Sequence, residues 1–180
     1  MRSWWTTSPW SRVFSAQMAP EFSFDVVSDF DRQELVNAVD QTRREIGTRY
    51  DFKNVPVEVT LEQDSITLLS ASESQLRSIL DVLQSKVHRR GIDIKVLDAQ
   101  TPEPAAKGNV RQVVKLRKGI DDDLARTLVK RVRAEHPKAQ VRIQGDQLRV
   151  TSSKKDELQA VIGQLKAMDL ETPLQFTNYR

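Results

Sequence analysis

VTLEQDSITLLSASESQLRSILDVLQ (residues 59–84) lies on VRIQGDQLRVTSSKKDELQAVIGQLK (residues 141–166) without a gap when the chain is slid along itself. Val59 meets Val141, Leu61 meets Ile143, Ile66 meets Leu148 and Leu68 meets Val150. Further on, Leu76 meets Leu158, Ile79 meets Val161 and Leu83 meets Leu165. Few residues are identical, but the apolar pattern is kept, which is the mark of an internal repeat. Each copy begins with alternating apolar residues, the period of a half-buried strand, on either side of a tight turn (QDS, then GD). Each then passes through serines suited to capping a helix, Ser72 or Ser74 and Ser152 or Ser153. It ends with apolar residues at helical spacing.

The flanks complete the unit. A strand (FSFDVV, 22–27) and a helix (DRQELVNAVDQTRREIGTRY, 31–50) precede the first copy, and VRQVVKLRK (110–118) and DDDLARTLVKRVRAEH (121–136) precede the second. The acidic Asp121–Asp123 run suits a helix N-terminus, and Pro137 closes that helix. Last strands are expected at IDIKVL (92–97) and PLQFTNY (173–179). The order β-α-β-β-α-β, twice, predicts an α+β fold of two tandem ferredoxin-like (RRM-like) domains with antiparallel sheets. The loop composition of AQTPEPAAKGN places the boundary there: a first domain at 21–100, a linker at 101–108 and a second domain at 109–180. The repeat leaves open whether terminal strands exchange between the halves.

Residues 1–20 read differently. All three tryptophans fall within the first ten residues, with Arg2, Arg12 and no acid. The segment has no continuous apolar core for a secretory signal. It is read as a disordered or non-native extension with Met18 as the working start, an organelle transit peptide being the compositional alternative.

Composition excludes several classes. Apolar residues at 38% and charged residues at 29% suit a globular chain. No apolar run approaches the ~18–20 residues of a membrane span. The chain has no cysteine, so disulfides, thiolate metal sites and a cysteine nucleophile are out. His88 and His136 sit in basic, helical-looking stretches and read as surface residues. Gly-rich phosphate loops, HExxH and GxSxG are absent. The expectation is a non-enzymatic protein with no catalytic residue, no metal and no cofactor.

Several separate motifs, in order, resemble the YajQ family of bacterial proteins: FDVVSDFDRQELVNAVDQTRREIGTRYDFK, the Lys118-Gly119-Ile120 triplet, IQGDQLRVTSSKKDELQAVI and PLQFTNYR. The resemblance covers about residues 21–180. It implies linked RRM-like domains and nucleotide binding in the cytoplasm. In some members it implies a role as a cyclic di-GMP effector, and members are also described as binding nucleic acid. The expected partners are a nucleotide (cyclic di-GMP, GTP or ATP), RNA, and a transcriptional regulator protein, with no membrane.

Charge is divided along the chain. Residues 21–100 carry 10 basic and 15 acidic side chains, whereas residues 109–180 carry 15 and 9. The C-terminal half is therefore the expected partner of an anion. Strand alternation points Arg111, Lys115, Arg117, Arg142, Gln144 and Arg149 to the sheet face that the helices leave open, with Tyr179 as a stacking ring and Lys118 at the strand end. Guanidinium groups pair with phosphate oxygens, and flat side chains stack on bases. Against this stands the solvated-strand reading, in which such cations serve solubility alone. Lys130, Arg131 and Arg133 read as a solvated helix face.

The first half's outward residues, Ser23, Asp25, Val27, Glu58, Thr60, Glu62, Thr67 and Leu69, form an acidic-to-apolar face suited to protein contact, with Val27 and Leu69 as its apolar points. The strands VRQVVKLRK and QVRIQG hold no aromatic residue, which disfavours sequence-specific RNA reading in the RRM manner. RNA binding to tRNA or rRNA remains the second reading. The YDFK stretch (50–53) reads as a helix end whose Tyr50 and Phe52 close the first core, or as part of a ligand site at the domain junction. A paired Arg117→Glu and Arg149→Glu reversal is expected to spare folding and weaken ligand binding.

Overall fold

The computed structural model describes residues 21–180, so the reading of residues 1–20 lies outside the described residues. Nine strands and four helices follow one another as β1 (Phe22–Val27), α1 (Arg32–Thr48), β2 (Glu58–Leu61), β3 (Ser65–Ser70), α2 (Glu73–Arg89), β4 (Leu97–Ala99), β5 (Glu103–Pro104), β6 (Val110–Leu116), α3 (Asp122–Glu135), β7 (Gln140–Gln144), β8 (Gln147–Ser152), α4 (Lys155–Ala167) and β9 (Gln175–Thr177). The fold is α+β with two antiparallel sheets, as the repeat predicts.

The repeat is visible in its details. Ser70 and Ser152 end their strands buried and facing the core. Each donates its hydroxyl to the side chain five residues on, Gln75 at 3.2 Å and Glu157 at 2.9 Å. Asp31, Ser72 and Asp121 cap α1, α2 and α3 by accepting backbone N–H groups. In α4 the capping position is Lys154, one residue beyond the expected serines, and Ser152 Oγ instead accepts the Lys154 N–H. The expected strand at 92–97 is mostly a 3-10 turn (Ile94–Val96) that reaches the sheet only at Leu97.

The allocation of strands differs from a simple cut of the chain. One sheet has the order β7-β8-β1-β9, and the other β2-β3-β6-β4 with β5 alongside β6. The first strand of each half lies in the other half's sheet. Phe22–Val26 run antiparallel to Leu148–Ser152, and Val110–Lys115 run antiparallel to Ser65–Ser70. The units are therefore not the contiguous stretches 21–100 and 109–180.

Two cores result. Phe24 and Val26 of β1 are fully buried with Leu128, Leu148, Val150, Val161 and Leu165, beneath α3 and α4. Val114 of β6 is fully buried with Leu35, Ile66, Leu68, Leu76, Ile79 and Leu83, beneath α1 and α2. Because β1 and β6 each leave one sheet to start a helix on the other, their exits run side by side. The Gly119 N–H donates to the Ser28 carbonyl at 2.7 Å, and the Ile120 N–H donates to the Asp146 carbonyl at 3.0 Å.

Gly119 sits in this junction at φ +80°, and a Cβ there would come within 3.1 Å of the Asp146 side chain. Gly119→Ala should cost about 1–2 kcal/mol from the left-handed backbone, plus the displacement of Asp146. Gly145, at φ +62° in the β7–β8 turn, has open space around it, so Gly145→Ala should cost less. Urea denaturation of the two variants checks the order; equal midpoints would remove the junction's steric role.

Candidate functional site

Strand phase places the expected cations outward, but on two sheets. On β6, Val110, Val114 and Leu116 belong to the core while Arg111 and Lys115 are exposed on the open face. There Arg111 lies between Leu69 and Glu103, and Lys115 between Ser65 and Asp98. On the other sheet Arg142 lies directly opposite Arg149, and Gln144 opposite Gln147. The single basic face expected for residues 109–180 does not exist, because the exchange removes β6 from that half. It moves Arg111, Lys115, Arg117 and Lys118 to one unit and Glu21, Asp25 and Asp29 to the other. Counted by structural unit, residues 31–118 carry +2, whereas residues 21–30 with 119–180 carry −1. The division of charge read along the chain is not a division in space.

Several of the cations are already engaged. Arg111 meets Glu103 at 3.4 Å. Arg117 ties the units together: it reaches Asp98 at 3.2 Å and Glu171 at 3.4 Å, and donates to the Glu171 carbonyl at 3.0 Å. Lys118 meets Asp29 at 3.1 Å and lies over the Phe30 ring. Arg117 and Lys118 thus fasten the junction. Among the described residues, Lys115 and Arg142 form no ion pair.

Arg149 has the most built surroundings. Its Nε and Nη2 donate to the two oxygens of Asp25 at 2.8 and 3.1 Å, and Asn178 Nδ2 donates to the same carboxylate at 2.9 Å. Asp25 is 3% exposed although it lies on the helix-free face. These donors hold its carboxyl below the usual carboxylate range, the hydrogen bond from Arg149 being the main cause. The pair orients the guanidinium and leaves its Nη1 edge unpartnered among the described residues. Arg149→Glu would put a second acid against Asp25, so the paired reversal would disturb folding and does not isolate ligand binding.

Tyr179 departs from its expected place. Asn178 adopts φ +54°, and Arg180 rather than Tyr179 pairs with Ser23 through two backbone hydrogen bonds of 3.0 and 3.2 Å. The extra residue is a β-bulge that shifts the side-chain phase by one. Asn178 therefore reaches Asp25 on the open face, and the Tyr179 ring turns to the helix side, stacked on Phe24 at 6.1 Å. No signal in the local alternation marks such a bulge; Asn at a strand end, tolerant of the left-handed region, was the available cue.

In the YDFK stretch Phe52 is buried, but Tyr50 is 88% exposed and closes no core. Arg49 holds Asp51 through two hydrogen bonds of 2.9 and 2.7 Å and lies over the Phe52 ring.

The open face of the β7-β8-β1-β9 sheet thus presents three cross-strand rows. They are Gln140, Thr151, Ser23; Arg142, Arg149, Asp25, Thr177; and an outer row made of two separate pairs, Gln144 with Gln147 and Val27 with Gln175. Among known proteins, the family model described as "Nucleotide-binding protein YajQ-like" matches residues 22–180. The chain belongs to this YajQ-like family. Relatives named "Nucleotide-binding protein" from Synechococcus sp. (strain JA-3-3Ab) and Chloroflexus aggregans (strain MD-66 / DSM 9485) are 54% and 53% identical. One named "Nucleotide-binding protein SYNW1816", from Parasynechococcus marenigrum (strain WH8102), is 48% identical. Each match covers 91% of this chain and the whole of the relative. The family match begins where the described residues begin their first strand, so the exchanged β1 lies within it. No described helix of this family member is long and apolar enough to cross a membrane.

Proposed function

We propose that this protein binds a phosphate-bearing nucleotide on the open face of the β7-β8-β1-β9 sheet, without catalysing its turnover. The observation that carries this reading is Arg142 directly opposite Arg149. Like charges in opposed positions destabilise a hairpin, so a face that keeps them is suited to an anion. Arg149 arrives already oriented by Asp25, which lowers the entropy lost when a phosphate binds. Arg142 is exposed and adapts. Gln140, Gln144, Gln147 and Thr151 supply neutral hydrogen-bonding groups around the pair, and with no aromatic on these strands the guanidinium planes are the stacking surfaces. The relatives' shared name, nucleotide-binding protein, supports the same class of ligand.

The finer reading is a cyclic di-GMP effector. Two phosphates match two guanidiniums, and the liganded face would then meet a regulatory protein partner. Titration calorimetry with cyclic di-GMP, GTP and ATP tests it. Arg142→Glu, on an exposed edge strand, should leave folding within about 0.5 kcal/mol and weaken the preferred nucleotide at least about tenfold. Heat from none of the three nucleotides, or unaltered affinity in the variant, would reject the site. RNA on the same face is an outcome of the same series: its affinity would fall steeply with salt as counterions are released.

A further inference from the structure

Apart from the open face, the protein carries a recess of about 300 Å³ at the other side of the same sheet's end. It is lined by Phe22, Ser23, Lys155, Leu158, Gln159, Tyr179 and Arg180. We infer that this recess is a second binding site, for one planar aromatic ring system carrying an anionic group.

The floor is apolar: Leu158 is buried and the Phe22 ring is half-buried. Tyr179 forms a wall. One of its faces rests on Phe24, with centroids 6.1 Å apart and planes 30° apart, and the residue is still 56% exposed. A ring stacked on one face and open on the other is held in place to stack again. Lys155 Nζ stands 4.9 Å from the centroid of the Phe22 ring, and the end of the chain at Arg180 completes the lining. Lys155 forms no ion pair among the described residues. Of the neighbouring acids, Glu157 accepts the Ser152 hydroxyl at 2.9 Å, and Asp156 and Glu21 are exposed to solvent.

The wall is costly to build. It exists because Asn178 takes a left-handed conformation and inserts an extra residue, without which Tyr179 would face the other way. The double hydrogen bond between Arg180 and Ser23 then fixes it. The volume sits at the lower end of the range for ligand pockets, which admits one ring system and excludes a cyclic dinucleotide. Two chemistries share the required form: a nucleoside monophosphate, and a simple aromatic acid.

The full chain would be titrated with GMP, guanosine and 4-hydroxybenzoate, following its amide and side-chain NMR resonances. GMP or 4-hydroxybenzoate should shift Tyr179, Lys155 and Gln159, and the tighter of the two identifies the source. Guanosine, without the charge, should bind at least about fivefold more weakly than GMP. Tyr179→Ala and Lys155→Glu should each weaken the better ligand at least about fivefold, and Tyr179→Phe should retain it. Arg142→Glu should leave this site unchanged, which separates its fate from that of the open face. Failure of both anions to shift these resonances at about 10 mM, or wild-type affinity in Lys155→Glu, which lies on an exposed helix turn, would overturn the inference.

Discussion

Cut between β5 and β6, into residues 1–104 and 105–180, the protein should give two unfolded pieces that fold only when mixed. Each piece lacks the strand at the heart of its sheet. The first would keep β2, β3 and β4, but β4 pairs only with β6 in the intact protein, and β3 loses its second neighbour. The second would keep β7, β8 and β9, but β9 pairs only with β1. The second piece also loses Phe24 and Val26, both fully buried. Burial of such side chains contributes roughly 1.5–3 kcal/mol each, and a domain's whole stability is about 5–15 kcal/mol. Neither piece can therefore hold its core. Amide spectra of the separate pieces should be collapsed, and an equimolar mixture should recover the dispersion of the intact chain. A dispersed spectrum from either piece alone would contradict the exchanged pairing.

The ion pair on the open face sets a second large effect. Arg149→Ala leaves the Asp25 carboxylate nearly buried with Asn178 as its remaining side-chain donor, whereas Asp25→Ala leaves Arg149 free to turn to water. Losing charge-assisted hydrogen bonds at a buried carboxylate costs about 2 kcal/mol, so Asp25→Ala should destabilise by that order. Arg149→Ala should destabilise more, because an orphaned buried charge costs more than a lost bond. The double variant should be more stable than Arg149→Ala alone.

The pH dependence follows from the lowered carboxyl. A group whose pKa falls on folding adds stability at pH above its unfolded value, about 3.9, and that stability is lost as pH drops through the folded value. The gap between the wild type and Asp25→Ala should be full at pH 7 and shrink below about pH 4. Thermal unfolding across pH 2–7 checks both. A gap that does not shrink in acid, or Asp25→Ala melting below Arg149→Ala, would dismiss the buried-charge account.

The class of fold was legible because its signals are local. Alternation marked β2, β3, β7 and β8, and helical spacing marked Leu76, Ile79 and Leu83 against Leu158, Val161 and Leu165. The strand exchange was illegible because β1 and β6 hold equivalent places in the repeat. Either allocation buries Phe24, Val26 and Val114, so burial pattern alone cannot choose. The basic face failed for that reason: Arg111 and Lys115 point outward as expected, but from another sheet than Arg142 and Arg149. Tyr179 was misplaced by one inserted residue at Asn178, and Asp25, which orients Arg149, gave no sign of a partner 124 residues away.

That distance matters while the chain is being made. Residues 22–27 leave the ribosome early, yet they pair with residues 148–152 and 175–177, which are made more than a hundred residues later. For most of translation β1, with Phe24 and Val26 on one side and Asp25 on the other, waits without its own sheet. Long-range pairing of this kind is slow and leaves apolar strand exposed to wrong neighbours. Nascent chains halted before Leu148 should therefore be caught by chaperones through their opening strand.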